Sequence, residues 1–217
     1  MSDERLNIRI TGYEPDEPIA GVQRIAIQTT RGVIPMLLHS ADDKARGVVC
    51  ISGAIGGFDG PAKLYPRLGL MMPRHGISIA RINYRLPNDF NECLLDTMAA
   101  VTFMKGLGRQ RTAVIGHSFG GAVAINAGTL SPTVTTVIAL SSQLAGAHVV
   151  GDLAPRPLLL AHGTADDILP HRSSELIYEK AGEPRELMLF EDADHRFSGR
   201  GDELFALVSE WLRRHLD

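Results

Sequence analysis

The sequence predicts an α/β fold, a three-layer sandwich whose mostly parallel central sheet is flanked by helices. Three observations carry that expectation. Short apolar runs without alternation recur along the chain, as strands buried on both faces require. Amphipathic stretches of helical period separate them. The length, 217 residues with 44% apolar and 22% charged, supports one full-sized domain with a substantial core but hardly two. Residues 1–217 are therefore read as a single domain, with 1–22 as an N-terminal arm or edge strand.

The elements follow in order. Leu6 to Thr11 alternates and reads as an edge strand, and Glu14-Pro15-Asp16-Glu17-Pro18 as a loop. Gln23 to Thr30 and Val33 to His39 flank Arg31-Gly32 as a hairpin. Gly47 to Ile51 is an apolar run expected to form a strand buried on both faces, and it enters the glycine-rich loop Ser52-Gly53-Ala54-Ile55-Gly56-Gly57. Further strands are expected at Ile77–Ile82, Thr112–Ile115, Thr136–Leu140, Pro157–Ala161 and Glu186–Phe190. Helices are expected around Pro61–Arg74, Asn91–Leu107, Phe119–Leu130, His171–Ala181 and Glu203–His215. In the second of these, Leu94, Leu95, Met98, Val101, Thr102 and Met104 make a core stripe.

Bulk properties narrow the function classes. A net charge of −3 provides no broad basic field, so neither nucleic acid nor an anionic membrane is expected as a partner. The start, Met1-Ser2-Asp3-Glu4-Arg5, lacks the apolar stretch of a signal peptide, and no run approaches a membrane span. Cys50 and Cys93 are expected to be free thiols in a reducing compartment, which points to the cytoplasm. Neither H-E-x-x-H nor a cysteine cluster occurs, so no metal and no cofactor are expected.

In an open α/β sheet, chemistry gathers at the carboxyl ends of the strands. After Thr112–Ile115 comes Gly116-His117-Ser118-Phe119-Gly120-Gly121 and then a helical run. This is G-x-S-x-G in the strand–turn–helix setting its mechanism requires, with Ser118 as candidate nucleophile. Side chains at positions 116 and 120 would collide in so tight a turn, and Gly121 would let the helix approach the sheet. A serine that merely caps a helix is the plainer alternative.

Serine is a weak nucleophile and needs a base, itself oriented by a third group. Following the strand Pro157–Ala161 is His162-Gly163-Thr164-Ala165-Asp166-Asp167. The pattern H-G-x-x-D places the acid at Asp166; Asp167 stays open as a rival, or as a capping group for the next helix. His195 sits on the loop between the last strand and the last helix, where a base must be to reach a serine on a central strand. His162 and His171 are read as supporting the acid loop, and His117 as unable to turn back to the neighbouring hydroxyl.

Acyl transfer also needs backbone donors for the developing oxyanion. The amide of Phe119 is one candidate. The second is expected from the loop after Ile51, at Ala54, with Ile55 as the near alternative. Without a following Gly-Lys-Ser/Thr, this glycine-rich loop is not a phosphate cradle.

Gly116-His117-Ser118-Phe119-Gly120-Gly121, His162-Gly163-Thr164-Ala165-Asp166 and Ala193-Asp194-His195 together resemble the three signatures of the α/β-hydrolase superfamily. The likeness covers nearly the whole chain from about Gln23, and size and element order are similar to the compact dienelactone-hydrolase-like and carboxylesterase branch. The resemblance implies an α/β-hydrolase fold, a Ser118–Asp166–His195 triad and an acyl-enzyme. Two departures stand out: Ser118 replaces the nucleophilic cysteine of dienelactone hydrolases proper, and Ser52-Gly53 replaces the common His-Gly start of the oxyanion loop. Only Ser141 to Arg156 separates two strands where lidded relatives carry an insertion, so no cap domain is expected.

The expected activity is hydrolysis of small-molecule carboxylic esters with small or medium acyl groups. A peptidase, thioesterase or perhydrolase on the same triad is an alternative, as is a binding protein without catalysis, because the pocket decides among them. Ile55, Phe58, Leu144, Ile168 and Phe197, with the Phe119 ring, are expected to make an apolar rim. Arg196 and Arg172 are read as solvated surface charges; either one facing the pocket would point to a substrate carrying a carboxylate.

Overall fold

The computed structural model describes residues 7–42 and 45–216. Among them, nine strands form one sheet in the order β1-β2-β3-β5-β4-β6-β7-β8-β9. Their spans are β1 Ile10–Pro15, β2 Gln23–Thr29, β3 Gly32–His39, β4 Arg46–Ile51, β5 Ile77–Ile82, β6 Arg111–His117, β7 Val134–Leu140, β8 Leu158–Gly163 and β9 Arg185–Phe190. The first three and the β3–β5 pair are antiparallel; from β5 through β4 to β9 every pair is parallel. The helices are α1 Leu64–Met71, α2 Phe90–Gly106, α3 Phe119–Leu130, α4 Arg172–Lys180 and α5 Gly201–His215. This is the three-layer sandwich the apolar runs imply. β4, β5, β7 and β8 are almost wholly buried, which is why their sequences do not alternate.

One core lies between the sheet and α2, α3 and α4, built around Val49, Ile82, Val114, Val123 and Ile177. The other lies under α1 and α5, where Leu68, Ile79, Leu140, Phe197 and Trp211 meet. An ionic network ties α2 to the β2–β3 turn: Arg85 donates to the fully buried Asp96 at 2.5 Å and to Glu92 at 2.7 Å, and Arg31 of the turn also pairs with Glu92.

Two expectations need correction. The edge strand is shifted: Leu6 lies outside the described residues, while pairing with β2 carries β1 on to Pro15 and into the segment read as a loop. Pro15, which has no N–H to donate, ends an edge strand. The first expected helix is broken. Short 3₁₀ turns at Pro61–Lys63 and Met72–His75 flank α1, since Ala62 and Lys63 take positive φ (47° and 54°) and Pro73 removes a helical donor. Between β7 and β8 there is only a 3₁₀ turn, His148–Leu153, and no cap insertion. No helix among the described residues is long and apolar enough to cross a membrane.

The chain runs from β4 to β5 on one side and to β6 on the other. The crevice at the carboxyl ends of β4 and β6 is thus a switch point, where such sheets place their ligands.

Candidate active site

At that crevice β6 turns directly into α3 through Ser118, whose φ of 58° and ψ of −122° are strained for a residue with a side chain. The glycines around it are steric requirements. A Cβ on Gly116 would lie 1.9 Å from the carbonyl oxygen of Gly120, and one on Gly120 would lie 2.3 Å from that of Ser52. A Cβ on Gly121 would meet Ser142 at 2.5 Å, so this residue brings α3 close to the loop after β7. The Ser118 amide donates to Leu140 at 2.8 Å, which holds the turn to β7. The capping alternative is unmet, as Ser118 makes no side-chain cap bond to α3.

Ser118, His195 and Arg196 line one cleft of about 460 Å³ together with Ile168 and the loop Ser52–Ala62. Asp166 lies beneath His195, its side chain fully buried, and its Oδ2 accepts from His195 Nδ1 at 2.7 Å. That bond assigns the proton to Nδ1 and leaves Nε2 as the basic nitrogen. Ser118 Oγ and His195 are not hydrogen-bonded here; such bonds commonly tighten only with substrate bound. Asp167 is exposed and takes no part. The helix-capping role considered for it is also unmet, since α4 has His171 at its N-cap and no side-chain cap bond; Asp166 Oδ1 accepts from the loop amides of Ile168 at 2.9 Å and Leu169 at 2.8 Å. Burial pushes the Asp166 carboxyl up, but those amides and His195 outweigh it and hold it below the usual range.

Two further histidines brace the site. His162 directs Nε2 at Asp166 Oδ2, 3.0 Å away, and at the Leu169 carbonyl at 3.1 Å, while its Nδ1 meets Ser174 Oγ at 2.7 Å. With two acceptors at Nε2 the proton sits there, and Nδ1 accepts from the serine. Burial lowers its pKa, opposed by the Leu169 carbonyl and Asp166. His171 is instead half-buried and 4.0 Å from Glu175, away from Asp166. His117 is braced against the loop that carries His195. Its Nε2 donates to the backbone carbonyl of His195 at 2.9 Å, so it pins His195 rather than Ser118, and burial holds its pKa down at about 4.

The glycine-rich loop after β4 is supported from the residues that follow β5 and from α1. Asn83 Oδ1 accepts from the Gly57 amide at 2.7 Å, Tyr84 reaches the Ser52 carbonyl at 3.3 Å, and Tyr65 of α1 reaches that of Ile51 at 2.8 Å. Polar Asn83 and Tyr84 follow a buried apolar strand directly, and that was the available signal for them. The amides of Ala54, Ile55 and Phe119 have no backbone acceptor among the described residues. Ala54 packs on the core, whereas Ile55 is 87% exposed.

Of the expected rim, Ile55, Phe58 and Ile168 line the cleft. The other members do not. Phe197 is fully buried, since a turn from Asp194 folds its ring down onto Phe190, 5.3 Å away. The Phe119 ring packs between Tyr84 and Phe90, which leaves its amide for the cleft. Leu144 is half-buried against the α2–α3 core. Arg172 pairs with Glu175 and Glu179 as a surface charge, but Arg196, read as another, is on the cleft wall.

Known proteins agree with this architecture. Residues 91–213 match the family model described as phospholipase/carboxylesterase. The chain belongs to that family of α/β-hydrolases. Escherichia coli K12 "Uncharacterized protein YfhR" is 28% identical over a match covering 51% of this chain and 49% of that protein. The match thus spans about half the length of this curated relative. A dienelactone hydrolase from Anabaena variabilis superposes with a TM-score of 0.77 at 17% identity, covering 91% of this chain and all of that one. XC6422 from Xanthomonas campestris, described as a serine hydrolase without lid, gives 0.72 at 16% identity, covering 93% and 97%. At such identities these likenesses concern the fold.

Proposed function

We propose that this family member is a compact, lidless serine hydrolase of the dienelactone-hydrolase-like and carboxylesterase branch. In this reading it cleaves small-molecule carboxylic esters with small or medium acyl groups. One observation carries the reading: the 2.7 Å Asp166–His195 bond borders the same cleft as a serine held in a strained turn. Ser118 Oγ attacks the acyl carbon while His195 Nε2 takes its proton, and Asp166 keeps the imidazole in the required tautomer. The amides of Phe119 and Ala54 receive the oxyanion. The alcohol leaves with the proton from His195, and water, activated by the same nitrogen, releases the acid. Arg196 on the cleft wall favours esters that also carry a carboxylate. Two buried, unpaired cysteines suit a reducing compartment, and on that ground the proposed location is cytoplasmic.

The test is covalent labelling by a fluorophosphonate together with turnover of p-nitrophenyl acetate. Both are expected in the wild type and absent from a folded Ser118→Ala protein, with little change in stability. Unlabelled wild type, or near-normal turnover by the alanine variant, would overturn the assignment.

A further inference from the structure

The sheet face under α1 is covered unevenly. Along β3, Ile34, Met36 and Leu38 enter the core on the α2 side, so Val33, Pro35 and Leu37 alternate onto the opposite face. α1 reaches β3 at its far end, where Gly69 lies against the ring of His39. The rest of that face, with Ala26 of β2 alongside, is the floor of an open groove of about 510 Å³. Glu14, Asp16 and Arg24 contribute charged groups to its border, and Phe58 lines it as well. Phe58 also lines the cleft that holds Ser118, so one residue is shared by the two spaces.

We propose that this groove receives the acyl chain of the ester, which passes Phe58 on its way from Ser118. The inference rests on the hydrolase reading. In that reading His195 protonates the leaving alcohol, so the alcohol must lie beside His195. The acyl chain then departs from the carbonyl carbon on the other side, toward the loop that carries both Ala54 and Phe58. Val33, Pro35, Leu37 and Phe58 offer it an apolar path. A groove open to water on one side suits an unbranched chain of medium length.

The experiment measures kcat/KM for p-nitrophenyl acetate, butyrate, hexanoate and octanoate with the wild type and Val33→Trp. Val33 is 43% exposed, and tryptophan is a good strand former, so the exchange fills the groove without loading the core. Wild-type kcat/KM should rise up to about four-fold per methylene, equivalent to about 0.8 kcal/mol each, until the groove is full. In Val33→Trp the hexanoate-to-acetate ratio should fall at least ten-fold, and Val33→Glu should act in the same direction should the first variant fail to fold. An unchanged ratio overturns the groove assignment. So does a change in oligomeric state at constant ratio, which would make the face a contact between copies. Failure of the wild type to react with fluorophosphonate overturns the hydrolase reading instead, and the two failures are therefore distinguishable.

Discussion

Asp166 works with both of its oxygens. Oδ1 is held by two backbone amides, and Oδ2 is shared by His195 and His162. Asp166→Asn should therefore lower kcat by on the order of 10⁴, because an amide favours the wrong imidazole tautomer. Asp167→Asn, at an exposed position, should leave kcat within about two-fold, as surface changes do. Steady-state kinetics rank the pair, and the reverse order would move the acid. His162 is a positioning residue in this scheme. Removing its N–H with His162→Phe makes Asp166 more basic and so stabilises the protonated form of His195. The acid limb of kcat/KM should then move to higher pH. The rate should fall on the order of ten-fold, the equivalent of one lost hydrogen bond of about 1.4 kcal/mol. His162→Gln keeps a donor and should restore part of both. A lower rate with an unmoved limb would mean a purely structural role.

At the scale of elements, the loops that carry Asp166 and His195 are laced together. Ala165 donates to the Ala193 carbonyl at 3.0 Å, and the Asp192 amide donates to Thr164 Oγ1 at 2.9 Å. Gly163, the last residue of β8, permits this: a Cβ there would lie 2.1 Å from the Ala193 carbonyl oxygen. Gly163→Ala should push the two loops apart, at a cost of about 1–3 kcal/mol in urea denaturation. Its loss of kcat should exceed what that destabilisation explains, because the base is displaced from the serine. Gly106→Ala, where nothing lies within 4 Å, is the matched control and should be nearly neutral in both measurements. Equal behaviour of the two variants would contradict the coupling.

For the whole molecule, burying neutral histidines has a consequence for stability against pH. His39 and His117 are both lowered from 6.5 to about 4, chiefly by burial, and His162 is lowered as well. Between pH 6.5 and 4 the unfolded chain protonates His39 and His117 and the folded chain does not. The stability that His39 and His117 contribute is complete above 6.5 and is lost as pH falls through that window, by up to about 1.4 kcal/mol per pH unit for each of the two, and His162 acts in the same direction. Asp166, held below its ordinary 3.8, adds a loss only at more acid pH. Urea titrations at pH 7.5, 6.0 and 5.0 should show a falling unfolding free energy. A flat profile over that range would mean the histidines are charged in the folded protein.

Periodicity and turn chemistry are local, and so the strand–helix order, the G-x-S-x-G turn, and the loops carrying Asp166 and His195 could all be read from the sequence alone. Each depends on residues a few positions apart: apolar runs for buried strands, and glycines where a Cβ would strike backbone. What the tertiary structure decided lies between segments distant in the chain. It separated Asp166 from Asp167 by turning one carboxylate under His195. It gave His117 the task of holding the His195 carbonyl, 78 residues away. It also buried Phe197 while leaving Phe58 and Arg196 on the cleft, because a loop's direction follows from the hydrogen bonds that fold it and not from the hydropathy of its residues. The uncovered face of β3 was likewise invisible beforehand: alternation says that two faces exist, and only the reach of α1 says which part of one is left open.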